Sequence, residues 1–241
     1  MADALLELAG VHTHIGHYHI LQGVDLAVPR GELTMLLGRN GAGKTTTLRS
    51  ILGLWRASGG AVRFDGADIT QRETPAIANL GIAYVPESMG IFAGLTVREN
   101  LVLAARSGPL DEQRLDWIFR FFPPMKKFWQ LPAGLLSGGQ KQMLSISRAV
   151  VEPRKLVLID EPTKGLAPAI INNLVEAFSE LKKTDTTILM VEQNFHAAKS
   201  LGDSVAVMDA GRIVHSGRMV DLAADAALQT RLLGLSLEAH Q

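Results

Sequence analysis

Two short runs of this chain carry residue types whose spacing suits phosphate chemistry. The first is "GRNGAGKTT" at 38–46, which fits G-x-x-x-x-G-K-[ST] with Gly38, Gly43, Lys44 and Thr45 in the fixed positions. Glycines let successive backbone N–H groups turn inward around phosphate oxygens, so Gly38, Arg39, Asn40, Gly41, Ala42 and Gly43 form a cradle. A helix opening after them, with Thr46 in its first turn, presents its positive end to the same anion. Lys44 then reaches the β- and γ-phosphates, and the Thr45 hydroxyl coordinates Mg²⁺. The second run is "KLVLIDEP" at 155–162, four apolar residues that stop in two adjacent carboxylates, Asp160 and Glu161. On its own this is a strand end reaching solvent. Beside a triphosphate, Asp160 becomes a direct or water-bridged magnesium ligand. Glu161 points to the other side of an extended chain and polarises an attacking water. A divalent cation and the separate orientations relieve much of the repulsion between the two.

Such groups need a parallel sheet to bring them together. The run 32–37 predicts the strand that feeds the glycine loop, and further strands are expected at 5–11, 23–28, 61–65 and 81–85. From Thr96, which forms a capping-box pattern with Glu99, the texture becomes helical through about residue 150. Strand and helix patterns then alternate: "LVLID", "PAIINNLVEAFSELKK", "TTILMVE" and "NFHAAKSLG". A hairpin turning at Ala210 and Gly211 and a helical tail over 218–233 follow. The expected fold is α/β, a single domain with a body from about 1–95 and 151–241 and a helical lobe inserted at about 96–150.

Composition narrows the function. A chain of 241 residues with 47% hydrophobic content buries one substantial core. Its 24 basic and 24 acidic residues balance, so no general field attracts a phosphate backbone and nucleic acid is not an expected partner. The absence of cysteine excludes thiolate metal sites and cysteine nucleophiles. The opening "MADALLELAG" lacks the basic-then-apolar pattern of a secretory signal, and no apolar stretch approaches the ~20 residues that cross a bilayer. A soluble chain is expected, with any membrane role supplied by a partner.

The run "LLSGGQKQMLSISRAV" places Ser137, Gly138 and Gly139 at the start of an amphipathic helix, a second anion-suited end. Here the sequence resembles the nucleotide-binding subunits of ABC transporters, whose signature "LSGGQ" stands at Leu136 to Gln140 ahead of the carboxylate strand. The resemblance covers nearly the whole chain. It implies a P-loop ATPase cassette with a mostly parallel core sheet, an N-terminal antiparallel β subdomain and the inserted helical lobe. It also implies ATP and Mg²⁺ as cofactors and a second cassette, identical or paralogous. Ser137, Gly138, Gly139 and Gln140 of one cassette would close over ATP held by the other, giving each ATP two grips in a head-to-tail pair. Transmembrane permease subunits are implied as partners, with a periplasmic solute-binding protein acting indirectly, and a location on the cytoplasmic face of the membrane.

"AYVPESMGIFAGLTVRENL" and "DEPTKGLAP" are similar to the ATPases of branched-chain amino acid importers and their relatives. Against the wider family pattern, the magnesium-touching glutamine is replaced by Glu87, the switch histidine by Gln193 and the D-loop aspartate by Pro168. The adenine-stacking aromatic is replaced by Ile15, leaving Ile15, Tyr18 and His17 as candidates for adenine contact. Gln193 orients water or γ-phosphate but carries no proton, and His196 is the alternative for that role. His12, His14, His17 and His19 read as packed or solvated strand residues rather than metal ligands. Two other readings compete: an ABC-type ATPase outside transport, which usually shows tandem cassettes or a basic surface, and a P-loop GTPase, which would need an N-K-x-D motif that this chain lacks.

Overall fold

The computed structural model describes residues 3–106 and 108–234. The chain opens with three strands, β1 (Ala4–Ile15), β2 (Tyr18–Pro29) and β3 (Leu33–Gly38), followed by helix α1 (Lys44–Ile51). Next come β4 (Gly59–Phe64), β5 (Ala67–Asp68), α2 (Thr74–Asn79) and β6 (Ile82–Val85). Four helices follow: α3 (Val97–Ala104), α4 (Glu112–Phe121), α5 (Pro123–Lys127) and α6 (Gly138–Val150). The last part contains β7 (Leu156–Asp160), α7 (Pro168–Lys182), β8 (Thr187–Val191), α8 (Phe195–Leu201), β9 (Ser204–Asp209), β10 (Arg212–Arg218), α9 (Met219–Ala224) and α10 (Ala226–Leu233).

The strands form two sheets. One is antiparallel, ordered β2-β1-β4-β5; the other is ordered β10-β9-β3-β8-β7-β6 and is parallel except for the edge strand β10. Sequence order and spatial order differ most at β3, whose two neighbours, β8 and β9, come about 155 and 170 residues later. Such a strand is covered on both faces, which explains its unbroken apolar run. Met35 and Leu37 of β3, Val157 and Ile159 of β7, and Ile188 and Met190 of β8 face a core shared by the helical lobe and helices α7, α8 and α9. Leu36, Leu156, Leu158, Leu189 and Val191 face the opposite core, shared with the antiparallel sheet and α1.

Among the described residues, the buried apolar side chains of α3–α6 join the core on one face of the parallel sheet. Phe122 and Met125, both fully buried, join the same cluster as β3 and β7. Thr96 caps α3 through the capping box with Glu99. The turn at Ala210 and Gly211 also forms, with both residues at positive φ (44° and 77°), as a tight two-residue hairpin requires.

The structure refines two expectations and adds two elements. β1 and β2 run on to Ile15 and back from Tyr18, because bulges let the ladder continue past the irregular His-rich segment. The tail is two helices, since Asp225 ends α9 and accepts a hydrogen bond from Leu228 N to cap α10. Helix α2 and strand β5 were not anticipated; six and two residues are too few to show a period.

Candidate nucleotide site

β3 delivers Gly38 to the sheet's carboxyl edge, and the loop to Gly43 turns straight into α1. Gly38 has φ 148°, and a Cβ there would overlap the Met208 carbonyl oxygen of the neighbouring strand. Gly43 caps α1 at φ 109°, a left-handed geometry that side chains resist. The turn residue Gly211 supports this loop from outside: its N–H donates to Ala42 O at 2.9 Å, and its carbonyl accepts from Gln22 N at 2.9 Å.

The Lys44 ammonium folds back over the loop, donating to Gly38 O at 2.8 Å and Arg39 O at 3.0 Å. Burial lowers its pKa, while the Glu161 and Asp160 carboxylates act in the opposite direction. Two of its three protons are used, which leaves one donor for an incoming anion. The Thr45 hydroxyl donates to Asp160 Oδ1 at 3.1 Å. Asp160 is fully buried, and desolvation raises its pKa despite that hydrogen bond. The sequence reading thus finds its two motifs joined at a single contact. A cavity of about 280 Å³ beside them is lined by Ile20, Asn40, Gly41, Gly43, Lys44, Thr45, Thr46 and Glu161.

Glu161 sits at φ 48°, an uncommon conformation for a residue with a side chain. Its N–H donates to Val191 O at 2.9 Å, which holds that geometry against β8. Its Oε1 accepts from Gln193 Nε2, so the two proposed hydrolytic residues touch. Its Oε2 is buried, lacks a hydrogen-bond partner and faces Lys164 Nζ at 3.3 Å.

Three residues of this network escaped the sequence reading. Lys164 also binds Glu87 Oε1 at 2.6 Å. Glu192, buried at the end of β8, accepts from the N–H groups of Thr163, Gln193 and Asn194, tying the loop after Asp160 to the loop carrying Gln193. Tyr84 donates to Asp160 Oδ2 at 3.4 Å, and its own pKa is pushed up to about 12 by burial and by that carboxylate. A lysine or glutamate in a loop carries no periodic signal, so only the fold reveals them.

Other sequence candidates stand apart. Glu87 spends its carboxylate on Lys164 rather than on Thr45. The apolar side chain lining the cavity is Ile20, while Ile15 ends β1 outside it. Tyr18 is 76% exposed beside that hairpin end. Ser137 and Gln140 cap α6 reciprocally, and with Gly138 and Gly139 they lie outside the cavity around Lys44. His12, His14 and His19 stack and share hydrogen bonds with one another and with Ser58. Among the described residues no group of three or more His, Asp or Glu forms a metal cluster. His196 is exposed on α8.

A glycine loop between a central parallel strand and a helix, facing a buried Asp–Glu pair on the next strand but one, defines a P-loop nucleoside triphosphatase. The chain belongs to the ABC transporter family, whose profile matches residues 21–164, and it is an ATPase of that family. It is 37% identical over 212 residues to the high-affinity branched-chain amino acid transport ATP-binding protein BraG of Pseudomonas aeruginosa, covering 87% of this chain and 91% of that protein. It is 36% identical over 207 residues to the probable branched-chain amino acid transport ATP-binding protein LivF of Archaeoglobus fulgidus, covering 85% and 88%. A solved ATP-binding cassette of an ABC transporter in its ADP conformation superposes with a TM-score of 0.79 at 26% identity, covering 97% of this chain and 100% of that one.

Proposed function

We propose that this cassette binds and hydrolyses ATP to power import of branched-chain amino acids or closely related small solutes. The observation that carries the site reading is the Thr45–Asp160 hydrogen bond. It sets a hydroxyl and a buried carboxylate together at the mouth of the phosphate loop, the donor set that Mg²⁺ takes beside a triphosphate. When bound, Mg²⁺ would neutralise charge on the β- and γ-phosphates; Thr45 and Asp160 would hold it, with Glu87 joining only if it leaves Lys164. Lys44 and the backbone N–H groups of 38–43 bind phosphate oxygens, and the N-terminal end of α1 adds its dipole.

Glu161 accepts a proton from the attacking water, and Gln193, hydrogen-bonded to Oε1, fixes the carboxylate's orientation. Ser137, Gly138, Gly139 and Gln140, which lie outside this cavity, would grip the ATP of a second cassette, so the site is completed in trans. Removal of the γ-phosphate then loosens the pair. The solute class rests on similarity to BraG and LivF over most of the chain.

Among the described residues no helix is long and apolar enough to cross a membrane. Transmembrane permease subunits would therefore supply the path, at the cytoplasmic face, with a periplasmic binding protein presenting the solute. The test has two parts. The purified chain should bind ATP and release phosphate with Mg²⁺; loss of both refutes the ATPase site. Proteoliposomes containing its co-purifying membrane subunits should take up leucine or a similar solute with ATP; hydrolysis without uptake of any such solute refutes the transport reading alone.

A further inference from the structure

Among the described residues, Lys164 is the cation in salt-bridge contact with the base. Its ammonium bridges two carboxylates from separate segments, Glu87 Oε1 at 2.6 Å and Glu161 Oε2 at 3.3 Å. The Glu161 side chain is only 9% exposed, and its other oxygen is occupied by Gln193. The base therefore has a hydrogen bond at Oε1 and an ion pair at Oε2, and an attacking water must share the carboxylate with both partners. Of the two, Lys164 carries full charge, draws electron density from the carboxylate and opposes proton acceptance.

The other end of the bridge is attached to the helical lobe. Glu87 lies in the segment between β6 and α3, where Met89 and Gly90 both have positive φ (65° and 60°). The carbonyls of these two residues are held by α6: Ser145 Oγ donates to Met89 O at 2.6 Å, and Arg148 donates to Gly90 O. Arg148 also lies over the Phe92 ring at 4.9 Å. Asn100 of α3 secures Phe92 in both directions, accepting from its N–H and donating to its carbonyl. Glu87 thus stands two residues ahead of a turn that is fastened to the lobe.

We propose that Lys164 is a positioning residue that occupies Glu161 while lobe and body stand in this arrangement, and that lobe movement withdraws it through Glu87 and frees the base. This rests on Glu161 being the base of the proposed ATPase site. It makes Lys164 a restraint on turnover, set by the position of the signature helix.

The experiment compares phosphate release against ATP concentration for the full chain, Lys164→Met, Lys164→Gln and Lys164→Arg. Lys164 is 57% exposed at its side chain, so folding should survive, and thermal melting verifies it. Both uncharged variants should raise kcat about two- to five-fold with KM for ATP unchanged, the range a partly exposed ion pair is worth. Lys164→Arg should return kcat to the unsubstituted value. Uncharged variants with unchanged or lowered kcat, or a change confined to KM, overturn the restraint. A parent chain that releases no phosphate overturns the ATPase reading instead.

Discussion

Replacing Glu161 by glutamine isolates one proton transfer while preserving shape. Glutamine keeps a carbonyl oxygen that can still accept from Gln193 Nε2, so the contact at Oε1 survives. Its other end becomes an NH₂ group facing the Lys164 ammonium, where the acid now stands at 3.3 Å, so that attraction is lost. The ion pair is half-exposed on the lysine side and its loss costs at most about 1 kcal/mol. The phosphate contacts of Lys44 and the loop are untouched, so ATP affinity should remain within a few-fold of the parent. Turnover should fall on the order of 10²–10⁴-fold, the usual contribution of a positioned base, or about 3–5 kcal/mol in the barrier. Phosphate release at saturating ATP gives the rate, and equilibrium binding of a fluorescent ATP analogue gives the affinity. Size-exclusion chromatography with ATP should show a longer-lived dimer. Hydrolysis within a few-fold of the parent would remove Glu161 from the mechanism, and a matching loss of binding would show that it acts on ground-state structure.

Lys44→Ala strips the ammonium from the loop and should weaken ATP binding about 10- to 100-fold in equilibrium titration. Gln193→Ala frees the base to swing, so kcat should drop on the order of 10-fold while affinity for ATP changes little in the same assays. Phe122→Ala empties a fully buried site that joins lobe to sheet, and chemical denaturation should show a loss of about 3–5 kcal/mol. Asp65, held by the Lys155 ammonium and then the Arg30 guanidinium, has its pKa lowered from 3.8 to about 2. Its favourable contribution is present above pH 4 and disappears as pH falls through about 2; Asp65→Asn should flatten the melting temperature against pH in that window.

The parts of the site legible in the sequence are those fixed by a local pattern. Gly38 to Thr46 is a continuous loop whose geometry follows from its own glycines, and the Asp160–Glu161 pair is marked by an apolar run that must end at a sheet edge. The alternating strands and helices after residue 155 likewise announced a parallel sheet. What stayed hidden depends on contacts between distant segments. Lys164 gains meaning only when β6 and β7 pair and bring Glu87 beside Glu161. Ile20 replaces Ile15 at the cavity because the bulged pairing of β1 with β2 sets which hairpin residue meets the loop. Glu192 resembles an ordinary strand end until its carboxylate is seen gathering three N–H groups.

The hidden cost of separating motif from scaffold shows at β3. Every recognisable motif up to the acidic pair falls within 21–164, yet both hydrogen-bonding edges of β3 are closed by strands from outside that interval, and so is the Gly211 brace on Ala42. A fragment cut to the motif-bearing interval would carry the complete vocabulary of an ATPase with a bare, sticky ribbon at its centre. The last third of the chain, which contributes few signature letters, is what makes the first two thirds a machine.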